Sequence, residues 1–289
     1  MNKNHLSIAL LGWNDSTVEC LRKLLQNSLK PKIIIIPEKY DSRKLIFLGK
    51  KANIKIIKSV YKRSLIPYLS DCDIIVSVSW PFIIRNEVLR MFPGRILNVH
   101  ASLLPKYRGQ HPLNWALLND EKKIGVTIHL VSEELDAGNI LIQKSITIKD
   151  KDDMQYIRKK IHLLGAKLLV ESIKKFNILR PKSQDSSSVS NAPKRLPSDG
   201  YIQWKKTARE IFCLIRATSH PGPGAYAFKD GKKVIIWKTL STRKFIKRGI
   251  PGEIISVLKK SFIVKCGNNE LLKIFEYKGE KPKIGQILK

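Results

Sequence analysis

Cysteine is scarce and scattered. The four in this 289-residue chain, Cys20, Cys72, Cys213 and Cys266, stand far apart with no C-x-x-C pair. That excludes a zinc ribbon or a dithiol redox motif, and no metal is expected; buried free thiols are the reading. No apolar run approaches the roughly 20 residues of a membrane span. The run Leu6–Gly12 behind Met1-Asn2-Lys3-Asn4-His5 is too short for a signal core followed by a cleavage site, so a soluble, cytoplasmic protein with no membrane partner is expected. Phosphate-cradling glycines are also missing. The first strand-to-helix turn, Leu10 to Ser16, holds only Gly12, where a dinucleotide site needs G-x-G-x-x-G, and no G-x-x-x-x-G-K-[ST] occurs. A nicotinamide cofactor is disfavoured, and Asp15 or Ser16 is expected to cap a helix. Acidic residues fall short too: 24 Asp and Glu face 54 Lys and Arg, a net charge of +30 and a pI near 10.0. Such an excess points to an anionic partner, with nucleic acid, a membrane surface and a phosphorylated small molecule as candidates. The charge has no single home, since residues 1–183 hold 32 basic and 16 acidic side chains and residues 184–289 hold 22 and 8.

What is present is apolar enough to fold: a hydrophobic fraction of 43% excludes a mainly disordered basic chain. The first half alternates short apolar runs with amphipathic stretches, the pattern of βαβ units and a mostly parallel sheet. Strands are expected at residues 7–11, 32–36, 73–78, 96–99 and 125–131, and helices at 16–26, 42–51 and 152–176. The four consecutive isoleucines Ile33 to Ile36 suit a strand buried on both faces. Residues 183–200, rich in Ser and Pro and without period, read as a linker. Beyond it, a helix at 208–217 and short strands at 233–238, 252–256, 261–265 and 270–275 suggest a small open barrel. The expected organisation is an α/β domain over residues 1–182, a linker over 183–200 and a small β domain over 201–289.

Chemistry concentrates in Asn98-Val99-His100-Ala101-Ser102-Leu103-Leu104-Pro105-Lys106-Tyr107-Arg108-Gly109. Alternation puts Asn98 and His100 on one face of a strand end, where parallel sheets place ligands. An amide and an imidazole there suit a developing oxyanion, and Ser102 is placed to orient the imidazole. The bland alternative is a strand-capping Asn98 and a core His100. Further on, Asp136 precedes Ala137-Gly138 in a loop after the strand at 125–131. A carboxylate facing the same edge would complete a set for acyl transfer; otherwise Asp136 is a turn former.

The string Asn98-x-His100-x-Ser102-x-Leu104-Pro105, continued through Tyr107-Arg108-Gly109, and the string Leu135-Asp136-Ala137-Gly138 together resemble the signature of the folate-dependent formyltransferases. The resemblance extends through Asp199-Gly200-Tyr201-Ile202-Gln203-Trp204 and Pro221-Gly222-Pro223-Gly224-Ala225-Tyr226. It implies a Rossmann-like mostly parallel sheet with helices on both faces, plus a small C-terminal OB-like β-barrel domain, and homodimers. It also implies transfer of a formyl group from 10-formyltetrahydrofolate to a primary amine, with Asn98, His100 and Asp136 as the catalytic trio. The pterin pocket would lie between Phe82-Ile83-Ile84 and the loop holding Glu133 and Leu135.

Two acceptors compete. In the tRNA branch of this family an inserted basic loop early in the first domain enters the acceptor arm; here the stretch from Pro37 to Ala52 is short. The segment Arg108-Gly109-Gln110-His111-Pro112-Leu113-Asn114-Trp115 resembles the sugar-nucleotide branch, in which Arg108, Gln110, Asn114 and Trp115 would meet the sugar or nucleotide. An amphipathic helix with Trp115 in the core explains the same residues. An amino sugar on a nucleoside diphosphate is the expected acceptor, and initiator methionyl-tRNA the alternative.

Overall fold

A computed structural model of the chain describes residues 6–59 and 65–289, Arg243 by its backbone alone. The opening residues Met1–His5, weighed above as a possible leader, lie outside the described residues. The chain divides into two compact units, and the division is not a single cut: one comprises Met1–Gln110, Lys123–Ile146 and Lys159–Ala192, the other His111–Lys122, Thr147–Arg158 and Pro193–Lys289.

The first unit runs β1 (Ile8–Gly12), α1 (Asp15–Leu25), β2 (Ile33–Pro37), α2 (Arg43–Lys51), β3 (Lys55–Ser59), α3 (Ile66–Leu69), β4 (Ile74–Val78), α4 (Asn86–Met91), β5 (Ile96–His100) and β6 (Arg108–Gly109). After α5 (Pro112–Leu118), which counts with the second unit, come β7 (Lys123–Leu130), β8 (Ile140–Thr147), the long α6 (Met154–Lys174) and β9 (Asn191–Ala192). Seven strands form one sheet in the order β3-β2-β1-β4-β5-β7-β8. From β3 to β5 the neighbours are parallel, and β7 turns antiparallel against β5. β1, β2 and β4 are buried at every position, because helices cover both faces. On one face Ala9, Leu11, Ile33, Ile35 and Ile75 pack with Leu65, Leu69, Val88 and Phe92. On the other, α2 comes so close that a Cβ on Gly49 would lie 2.9 Å from Ile34.

The lone glycine of the first turn has a packing reason. A Cβ on Gly12 would stand 2.3 Å from both Thr17 Oγ1 and the Val78 carbonyl, and Thr17 Oγ1 donates to that carbonyl at 3.0 Å. The helix cap is one residue earlier than expected: Asn14, not Asp15 or Ser16, accepts from the N–H groups of Ser16 and Thr17, since an extended residue ahead of the first turn aims its carbonyl oxygen at those orphan donors.

In the second unit, α7 (Ala208–Thr218) precedes β10 (Ala225–Lys229), β11 (Lys232–Phe245), β12 (Ile254–Leu258), β13 (Ser261–Lys265) and β14 (Glu270–Lys278). They form an antiparallel sheet in the order β10-β11-β14-β13-β12. Ile211, Phe212 and Ile215 of α7 join Ala225, Ile236, Phe262, Val264 and Leu272 in one core. The segment 286–289 bridges the two edge strands: Leu288 bonds Gly252, the Gln286 carbonyl accepts from Ile254, and Lys289 exchanges both backbone bonds with Phe228. An open five-stranded sheet thus gains the closure that protects its edges. Arg209 of α7 ties down two carboxylates of this unit, Asp120 and Asp150.

The stretch read as a linker carries structure. Asp185 caps a short 3-10 turn at Ser186–Ser188, and β9 pairs with β6, Arg108 with Asn191 and Gly109 with Ala192.

Candidate active site

The site is set by strand register. β5 and β7 place Asn98 opposite His129 and His100 opposite Thr127; because successive side chains alternate, all four share one face of the sheet. Asp136 reaches them from the loop between β7 and β8, in a left-handed conformation with φ 53°, a region that costs energy but that Asp tolerates better than most residues. Two positions on, a Cβ on Gly138 would lie 1.8 Å from the Leu130 carbonyl. That close approach requires glycine and brings the loop back over the strand end.

The Asp136 carboxylate is buried and heavily contacted. Oδ1 accepts from Asn98 Nδ2 at 3.3 Å and lies 3.5 Å from His129 Nε2. Oδ2 accepts from the Gly109 N–H at 2.9 Å and lies 3.5 Å from His100 Nδ1. Burial pushes this carboxyl up, but the His100 and His129 rings when protonated, with the Gly109 N–H, together outweigh it and hold its pKa at about 2, so the group is ionised at neutral pH. Burial pushes the His100 imidazole down, opposed by the Asp136 charge.

The tautomers follow from the partners. The Leu130 carbonyl lies 2.8 Å from His129 Nδ1 and can only accept, so Nδ1 carries the proton and Nε2 accepts from Asn98 Nδ2 at 3.1 Å. By the same reasoning His100 Nε2 donates to the Tyr107 carbonyl at 2.9 Å and Nδ1 faces the carboxylate. The loop after β5 is pinned from beneath: Thr127 Oγ1 donates to the Ser102 carbonyl and accepts from Leu104 N and Gln143 Nε2.

Not every expected residue joins this cluster. The Ser102 hydroxyl donates to the Lys106 carbonyl at 2.7 Å, shaping the loop instead of orienting the imidazole. Arg108 is engaged by Glu134 and Gln184, while Gln110 is exposed and uses its backbone N–H on Ala192. Within the second unit Asn114 donates to the Ala217 carbonyl, and Trp115 donates to the Pro193 carbonyl with the Arg195 guanidinium over its ring. Among the expected pterin contacts, Phe82 meets Trp80 and Tyr40 edge to face and Ile84 is in the core. Ile83 and Leu135 are 74% and 62% exposed, and Glu133 is exposed as well. His129 is the member that sequence reasoning missed. The available signal was its position in a strand two residues from Thr127, but its facing Asn98 depends on a register between strands 31 residues apart.

Comparison with known proteins meets this geometry. Residues 57–173 match the formyl transferase family, and residues 196–287 match the formyl transferase C-terminal domain. This chain belongs to the formyl transferase family. It is 34% identical over 281 residues to methionyl-tRNA formyltransferase of Caldanaerobacter subterraneus subsp. tengcongensis, spanning 92% of this chain and 90% of that one. It is 35% identical over 269 residues to the bifunctional polymyxin resistance protein ArnA of Wigglesworthia glossinidia brevipalpis, covering 88% of this chain and 40% of ArnA. In fold it is similar to the N-formyltransferase of Helicobacter canadensis, solved with folinic acid and dTDP-3-aminofucose, at a TM-score of 0.75 and 22% identity, covering 94% of this chain and all of that one. The chain is a formyl-transferring enzyme. Among the described residues no helix is long and apolar enough to cross a membrane, and no His, Cys, Asp and Glu grouping of three or more has the arrangement to hold a metal ion.

Proposed function

We propose that the chain transfers the formyl group of 10-formyltetrahydrofolate to the primary amine of an amino sugar carried on a nucleoside diphosphate. The observation that carries the formyl-transfer chemistry is the convergence of Asn98, His100 and an ionised Asp136 at one strand end. The amine nitrogen attacks the formyl carbon, and negative charge collects on the formyl oxygen. An Asn98 N–H turns from His129 or Asp136 to that oxygen, and His100, its Nε2–H kept on the Tyr107 carbonyl, supports the same charge once a proton on Nδ1 makes the ring an imidazolium; such contacts tighten when substrate is bound. Asp136 takes the amine proton. The bond from carbon to N10 of the folate then breaks, N10 is protonated, and tetrahydrofolate and the formamide leave. The exposed Ile83 and Leu135 are placed to cover the flat pterin.

The acceptor reading is supported by the short β2 to α2 connection, residues 38–42, which has no room for a basic insertion. It is supported as well by the nucleotide sugar named for the Helicobacter canadensis structure. Initiator methionyl-tRNA is the second reading, favoured by the charge of +30 and by the sequence relative of that name. A formyl-transfer assay with 10-formyltetrahydrofolate against methionyl-tRNA and a panel of UDP- and dTDP-amino sugars tests both. Turnover of an amino sugar at least about tenfold more efficient than of methionyl-tRNA is expected. The reverse order, with binding that falls steeply as salt rises, would replace the sugar with tRNA.

A further inference from the structure

Between Pro181 and Val189 every residue is exposed except one. Gln184 alone turns inward, and its amide is used to capacity. Nε2 donates to the backbone carbonyls of Asp136 at 2.7 Å and Gly138 at 2.8 Å. Oε1 accepts from Arg108 Nε at 3.2 Å and Nη2 at 2.9 Å. An amide has two donors and two lone pairs, so all four bonds are made. The chain of contacts is closed by Arg108 Nη1, which donates to Glu134 Oε1 at 2.8 Å. Gln184 therefore grips both sides of the turn that holds Asp136 at a positive φ, a conformation that persists only where its surroundings over-determine it. The same segment supports His100: Ser190 Oγ accepts from Tyr107 N, and the Tyr107 carbonyl is the partner of His100 Nε2.

We propose that Gln184 is a positioning residue for formyl transfer, fixing the Asp136 carboxylate against His100, Asn98 and the Gly109 N–H through its two bonds to the Asp136 and Gly138 carbonyls. The proposal rests on the reading of Asp136 as the proton acceptor. The groups facing that carboxylate are Asn98 and His100 from β5, His129 from β7 and the backbone N–H of Gly109 from β6; Glu134 and Arg108 pair with each other beyond it.

Two variants separate positioning from mere stitching of the chain. Gln184→Ala removes all four bonds. Gln184→Glu still accepts from Arg108 but cannot donate to the two carbonyls, and keeps that anchorage should the alanine variant fail to fold. Both are expected to lower kcat by about 30-fold with KM for either substrate changed less than about threefold. The acid limb of the kcat profile is expected to move up by about one pH unit, because a carboxylate that has drifted from its donors ionises less readily. In the free protein, the His100 ring followed by NMR is expected to titrate lower than in wild type, having lost the nearby anion. Full activity in Gln184→Glu, or a fallen kcat with both the acid limb and the His100 titration unmoved, would overturn the proposal. The titration needs no substrate, so it decides the positioning even if the wild-type protein transfers no formyl group.

Discussion

Asp136→Asn keeps the shape of the side chain and its acceptance from Gly109, and removes the charge together with the oxygen that accepts from Asn98. Two quantities follow. The first is catalytic: loss of a general base is worth about 10²–10⁴ in kcat, and an amide cannot take the amine proton. The second is stability. The carboxyl is held at about 2 in the fold against an ordinary 3.8, so its ionisation stabilises the folded state by about 2 kcal/mol at neutral pH. Because the folded pKa is depressed, that contribution is fully present above about pH 4 and is lost as pH falls through about 2. Urea unfolding of wild type and variant, compared from pH 7 down to pH 3, is therefore expected to show the variant weaker by about 2 kcal/mol at pH 7, with the gap narrowing as pH falls below 4. In a thermal scan at pH 7 the difference amounts to about 5 °C. Retention of more than a tenth of wild-type kcat would refute the catalytic role. A stability gap that does not change with pH would refute the electrostatic account of the buried carboxylate.

Other positions test the frame around it. Gly138→Ala places a methyl 1.8 Å from the Leu130 carbonyl, so the loop must shift; the variant is expected to lose more than about 2 kcal/mol and most of its kcat, read by urea midpoint and turnover together. Asn14→Ala removes the cap of α1 and is expected to cost about 1 kcal/mol, read by urea unfolding. Arg209→Met takes from Asp120 and Asp150 the nearer of the two arginines they share, leaving Arg216 at 3.5 and 3.9 Å; since these groups are partly exposed, a loss of about 1 kcal/mol in urea unfolding that shrinks in high salt is expected.

Local chemistry wrote much of this protein into its sequence. The runs Ile8 to Leu11 and Ile33 to Ile36 are apolar at every position and Ile74 to Val78 at all but Ser77, which only a sheet covered on both faces accepts. The pair Asn98 and His100 declared a common face because side-chain alternation is a property of the strand itself. The turn ahead of Gly138 was visible as a turn. Distance along the chain hid the rest. Nothing in the string Thr127-Ile128-His129 says that β7 runs antiparallel beside β5, so the contact of His129 with Asn98 and Asp136 had to wait for register. The serine-rich stretch after Arg180 has the composition of a spacer, and composition cannot reveal that one glutamine in it bonds two carbonyls of a loop some 46 to 48 residues earlier. The residues proposed for acyl transfer could thus be named from the sequence. Tertiary structure decided how the carboxylate is held ionised, because its pKa depends on neighbours brought from three separate segments.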